Sequence, residues 1–229
     1  MKRILFLLMA ALAVCVLATP ARATLINRGT DTLGNRLIYD DDLDITWYDY
    51  TNAADTWANQ VSWAGGLSVD FGGDIFDDWR LPSTVDGPYV AGYDGTTTAG
   101  YNITTSELGH LFYTELGNLG YYDITGTYAG DGNWGLNNTG DFQHLISSFY
   151  WSGTEYAANT SLAWDFFFGH GVQYLDDKRF NFMYALAVRS GDVGAAVPEP
   201  ATIALLGIGL AGMAGYGVRR RRQLRSHVK

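Results

Sequence analysis

The single cysteine, Cys15, constrains the fold most, because it lies inside an apolar run near the N-terminus. Lys2 and Arg3 precede that run, residues 4–17 form it, and Ala21-Arg22-Ala23 supplies a small-x-small cleavage site. This is the layout of a secretory signal peptide, so residues 1–23 are predicted to be removed after Ala23. Val14 stands before Cys15, where a lipid-attachment site needs a small residue. The exported chain then has no disulfide, thiolate metal site or cysteine nucleophile. It must hold itself together by a hydrophobic core, and residues 24–192 are enough to bury one.

Charge narrows the partners. Six basic residues face 23 acidic ones between residues 24 and 196, a net of −17, although the whole chain stands at −9. Such a surface repels phosphate backbones and excludes nucleic acid as a natural partner. The 15 Tyr, 7 Trp and 28 Gly favour a turn-rich extracellular module.

Local patterns predict an α+β domain with two helices, a late antiparallel sheet and long Gly/Tyr-rich loops. Leu37-Ile38-Tyr39 and Ile45-Thr46-Trp47 read as short strands around an acidic turn. Trp57, Val61 and Ala64 repeat at helical spacing, and Gly65-Gly66 would end that helix. Thr104-x-x-Glu107 reads as a capping box opening a second helix, with Leu108, Leu111, Phe112 and Leu116 on one face and Gly117 at its stop. Residues 83–103 and 118–143 read as loops. Trp164, Phe166 and Phe168 alternate before a Gly169-His170-Gly171 turn, which predicts a hairpin. Tyr184, Leu186 and Val188 alternate against Ala185 and Ala187 in a closing strand.

Three motifs carry a family resemblance: Trp79-Arg80-Leu81-Pro82, Tyr150-Trp151-Ser152-Gly153-Thr154-Glu155 and Ala185-Leu186-Ala187-Val188-Arg189. In that order they resemble the Lcl C-terminal-like domain family, many of whose members are catalogued as a domain of unknown function. The resemblance spans about residues 38–192 and implies a C-type-lectin-like α+β domain. It implies structural roles for Trp79, Arg80, Pro82, Trp151, Glu155 and Arg189, with Arg80 paired to Glu155 or Asp165. The superfamily includes formylglycine-generating sulfatase-modifying enzymes, whose activity needs reactive cysteines that the exported chain lacks.

The C-terminal segment has three parts: Val197-Pro198-Glu199-Pro200, an apolar stretch at 201–218, and Arg219, Arg220, Arg221 and Arg222. Together they resemble the PEP-CTERM sorting signal, which implies recognition by an exosortase in a bacterium that makes exopolysaccharide. The 18-residue stretch is about the minimum to span a bilayer, and the arginines favour the cytoplasmic side. The expected order is thus signal peptide 1–23, ectodomain 24–192, linker 193–200, membrane segment 201–218 and basic tail 219–229. Sec export and a transient inner-membrane anchor would precede release to the cell surface or matrix of a Gram-negative bacterium.

For chemistry, Asp40, Asp42 and Asp44 open like a calcium loop, but Ile45 and Thr51 occupy positions that need Gly and Glu. They stand as candidate ligands of another oxygen-rich calcium site. Ser152 lacks a nucleophile elbow, and His110, His144 and His170 lie in unrelated contexts with no zinc spacing. Tyr93, Tyr101, Tyr122, Tyr128 and Trp134 lie in the predicted loops and offer stacking faces for sugars. The expected function is a non-enzymatic structural or adhesive module that binds polysaccharide and needs no cofactor. The alternatives are a polysaccharide-acting enzyme with an acidic pair and a calcium-dependent lectin.

Overall fold

A computed structural model describes residues 24–194. The predicted signal peptide, the Pro-Glu-Pro motif, the membrane segment and the basic tail lie outside the described residues. The strands are β1 (Leu25–Thr30), β2 (Arg36–Asp40), β3 (Ile45–Asp55), β4 (Val69–Phe71), β5 (Asp74–Phe76), β6 (Ala91–Gly92), β7 (Ala99–Tyr101), β8 (Phe149–Glu155), β9 (Leu162–Phe167), β10 (Val172–Asp177) and β11 (Met183–Ser190). Helix α1 spans Trp57–Gly65. A three-residue α-turn at Glu107–Gly109 runs into a π-helix at His110–Glu115.

Nine strands form one mixed sheet in the order β1-β2-β3-β11-β8-β9-β10-β7-β6. Strand β11 is central. It pairs antiparallel with β3 and parallel with β8. Strands β6 and β7 are also parallel. Successive side chains on a strand point to opposite faces, and here both faces are apolar. Ile38, Trp47, Tyr150, Leu186 and Val188 enter one core with Leu111, Phe112, Phe166 and Phe168 of the π-helix and hairpin region. Leu37, Tyr48, Trp151, Ala185 and Ala187 enter the other, against which Trp57 and Trp63 of α1 pack. The small Ala185 and Ala187 leave room for the tryptophans on that side. Gly72 and Gly73, with φ of 67° and 94°, make the two-residue turn of the separate β4–β5 hairpin.

The α+β expectation is corrected: the domain is 38% strand and 11% helical, a mostly-β fold around one large mixed sheet. The C-type-lectin-like layout of two helices and an antiparallel sheet falls with it. One reason is pairing. Strand β11 is buried on both faces and takes a neighbour on each edge, so β1, β2 and β3 join the same sheet as the late strands. The other is the second helix, predicted over 104–117. Ser106, not Thr104, accepts the capping bond from Gly109 N (3.1 Å). A Cβ on Gly109 would lie 2.0 Å from the Ile103 carbonyl oxygen, so only Gly fits where the chain enters this turn. The backbone then widens, and Leu116 N donates to Leu111 O, five residues back.

The two ends of the domain meet. Arg28 on β1 donates to both carboxylate oxygens of Asp192 (2.9 and 2.5 Å), and Thr46 Oγ1 donates to Gly191 O (2.7 Å).

Candidate functional site

Three of the predicted loop aromatics converge. Tyr93 stacks on Tyr101 with ring centroids 6.0 Å apart and planes 12° apart, and Tyr122 meets each ring edge-on at 5.2 Å. With Tyr174 of β10, Gly92 and Gly100 they line a cavity of about 270 Å³. Two features hold it open. Gly100 has φ of 100°, and a Cβ there would lie 2.0 Å from the Gly92 carbonyl oxygen, so β6 and β7 approach only because the residue is Gly. Asn102 Nδ2 donates to Tyr93 O (2.7 Å) and Tyr122 O (3.1 Å), which clamps two loops with one amide.

Tyr128 and Trp134 form a second group. Both pack on Tyr121 at 4.8 Å, and Trp134 Nε1 donates to the Tyr128 hydroxyl (3.2 Å), which itself bonds Asp131. Tyr121 touches Tyr122 at 4.9 Å and so links the groups. Tyr174 belongs to a strand, and no loop signal in the sequence pointed to it.

A second constellation is acidic and buried. Asp40 ends β2 with its side chain fully buried. Its Oδ1 accepts from Leu43 N (3.0 Å) and its Oδ2 from Trp47 Nε1 (3.3 Å). His110 Nε2 lies 4.0 Å from Asp40 Oδ1, 3.7 Å from Asp42 Oδ2 and 3.2 Å from Glu115 Oε1. The Glu115 side chain is 2% exposed, whereas that of Asp42 is 51% exposed and reaches solvent. Burial raises the pKa of Asp40, opposed by the Leu43 amide, the Trp47 indole and His110. Burial, then Asp40, raises that of Glu115, opposed by His110. Asp44 does not join: it accepts from the Tyr39 hydroxyl (2.9 Å). Two of the three predicted calcium ligands thus meet His110 and Glu115, which sequence reasoning passed over. An α-helix would set residues five apart about 140° apart around its axis. The π-turn brings them onto one side.

A third constellation has no cation at all. Asp165 on β9 stands between Trp151 of β8 and Tyr174 of β10. It is 1% exposed, and neither carboxyl oxygen finds a donor among the described residues. The carboxyl group that acts on it is that of Asp176 on the neighbouring strand β10. Burial first, then Asp176, pushes the Asp165 pKa well above the ordinary carboxyl range. A neighbouring like charge and burial both favour the protonated form of Asp165.

The motif residues build the frame. Arg80 is not paired with Glu155 or Asp165. Its two Nη atoms grip Glu107 at 2.7 Å each, and Ser83 N donates to the same carboxylate (2.6 Å). Trp79 Nε1 donates to Phe76 O (2.9 Å), Pro82 O accepts from Gly153 N (2.7 Å), and Trp151 Nε1 donates to Asp55 O (3.1 Å). Glu155 pairs with Lys178, and Arg189 with Asp78 (2.7 Å).

Outside the described residues, a known signature is present. The chain carries a PEP-CTERM protein-sorting motif at residues 196–222. It contains Pro198, Glu199 and Pro200 and runs to Arg222. The motif implies exosortase-dependent export to the cell surface or extracellular matrix, with exosortase as the processing partner. No curated protein and no solved structure matches the chain. The Lcl C-terminal-like resemblance gains no support beside the sorting motif. Among the described residues no helix is long and apolar enough to cross a membrane.

Proposed function

We propose that the exported domain is a non-enzymatic, polysaccharide-binding component of the cell surface or matrix, with the cavity formed by Tyr93, Tyr101, Tyr122 and Tyr174 as its sugar-contact surface. The observation that carries this reading is the convergence of those four rings, from two loops and the strands β7 and β10, around about 270 Å³. Aromatic faces stack on the apolar side of sugar rings, and phenolic hydroxyls can meet sugar hydroxyls. The acidic surface favours a neutral glycan over a polyanionic one. Export would begin with the signal peptide at 1–23 and the Sec machinery, pass through an inner-membrane stage held by residues 201–218, and end after exosortase action in a Gram-negative envelope.

An enzyme acting through an acidic pair has less support. Glycosidase carboxyls stand about 5–9.5 Å apart with room for a sugar. Asp165 has both carboxyl oxygens buried away from solvent, and Asp40 and Glu115 are turned onto an imidazole.

A glycan array probed with the purified full chain tests the reading. Binding to neutral glycans is expected, with at least a tenfold loss in Tyr122→Ala. Silence across the array and against the producing cell's own matrix polysaccharide would remove the binding role and leave the export assignment standing. A second experiment addresses sorting: replacement of Pro198-Glu199-Pro200 should retain the protein in the inner membrane on fractionation.

A further inference from the structure

Asp40, His110 and Glu115 each bring a ligand atom within 4.8 Å of the other two. Asp42 Oδ2 stands at the rim outside that set, 3.7 Å from His110 Nε2, and can turn in as a fourth ligand. We propose that these four residues bind a divalent first-row transition metal of the zinc type, which ties the β2–β3 turn to the π-helix. The inference is independent of the sugar-binding reading.

The burial of Glu115 is the first support. Its side chain is 2% exposed, and among the described residues its hydrogen-bond partner is His110. Asp40 is more deeply buried still. Two carboxylates in such a place need positive charge. The described residues contain six Lys and Arg, and every one has an acidic partner elsewhere: Arg28 with Asp192, Arg36 with Asp141, Arg80 with Glu107, Lys178 with Glu155, Arg179 with Asp177 and Arg189 with Asp78. Even a protonated His110 would leave the four-residue cluster net negative. A divalent cation bound by neutral His110 balances the two buried carboxylates, Asp40 and Glu115.

Ligand chemistry selects the ion. An imidazole nitrogen suits zinc, iron, nickel or copper, and carboxylates complete such a set. Calcium takes six to eight oxygens, and an imidazole is not among its usual ligands. The Leu43 amide and the Trp47 indole orient the Asp40 carboxylate as outer-shell groups do. Asp42, half exposed, supplies the way in. The π-helix gives the second support, since single π-turns are rare and recur at functional sites. Here the π-turn places His110 and Glu115 on one side. An exported chain whose only cysteine lies in its predicted signal peptide has no disulfide to join distant segments, and a metal bridge between residues 40–42 and 110–115 performs that task.

The test uses the full chain, purified in detergent and stripped with a chelator. Zinc should bind at one ion per chain with a rise in melting temperature, and calcium at the same concentration should give no rise. Cobalt should bind with visible d–d bands. His110→Ala should lose the bands and the zinc-induced rise. Asp42→Asn alters an exposed group, so it should melt like the metal-free parent and bind zinc at least tenfold more weakly. No zinc bound, equal zinc binding in His110→Ala, unchanged affinity in Asp42→Asn, or a thermal response to calcium in place of zinc would each overturn the proposal.

Discussion

Two pairs of carboxyl groups, each with a fully buried member, lie far apart in the sequence, and their surroundings differ. Asp40 and Glu115 face an imidazole and have a half-exposed carboxylate, Asp42, at their rim. Asp165 and Asp176 face each other, with no cationic group in hydrogen-bond reach of Asp165. The cost of burying charge is common to both. The first site can offset it with a cation, because nitrogen and oxygen ligands converge and solvent has access. The second can offset it only with a proton. One site should therefore respond to metal and the other to pH.

The largest effect expected is the metal response. At zinc one hundred times above its dissociation constant, the folded state gains about 2.7 kcal/mol, a rise of very roughly 5–10 °C for a domain of this size. Glu115→Gln should abolish that rise, whereas Asp165→Asn should retain it in full. Differential scanning calorimetry on both variants checks the contrast, and a joint loss would erase it.

The proton response comes next, and its sign is fixed. The folded chain holds the Asp165 proton to a pH well above the value near 4 at which the unfolded chain releases it. Stability is therefore complete below about pH 4 and declines as pH rises through the folded-state value. Asp165→Asn should remove this part of the decline. An amide there has no charge to bury, so at pH 8 the variant should be more stable by about 1–3 kcal/mol. Urea denaturation across pH 5–8 measures it, and an unchanged slope would show that Asp165 does not carry the proton.

Arg80 and Glu107 show a third solution, a carboxylate satisfied by a guanidinium fork. Because Arg80 is partly exposed, Arg80→Ala should cost about 1 kcal/mol and leave both the zinc rise and the pH slope intact. The smallest stability effect is expected for Tyr122→Ala, within about 1 kcal/mol. It should change glycan retention while both acid sites behave as in the parent. Any shift in zinc affinity in that variant would mean that the two regions are coupled.

The strands were legible where side chains alternate, because each strand separates two cores: Trp47 from Tyr48, Tyr150 from Trp151, and Leu186 from Ala185 and Ala187. Their partners were not legible, since pairing depends on contacts far apart in sequence. Helix α1 was visible, and Trp57 and Ala64 of its expected face do meet the core, but the rest of that face was not legible. Val61 was expected inward and is 38% exposed, while Gln60 is fully buried because its amide donates to Ala53 O (2.7 Å) and Met183 O (2.8 Å). A polar side chain that serves backbone carbonyls has no apolar signature. In the same way, the run Asp40-Asp41-Asp42 announced an acidic site, but His110 and Glu115 required a helix wider than the one that periodicity assumes. The tyrosines of the two loops drew attention by composition, and their convergence depended on Asn102 and Gly100, whose roles are geometric.

The Arg28–Asp192 pair has a consequence for the order of events in export. It brings the first strand and the outgoing segment to one corner of the domain, although β1 and β11 are three places apart in the sheet. An exosortase acting at the outgoing end would then work beside a corner that the Arg28–Asp192 pair already holds shut.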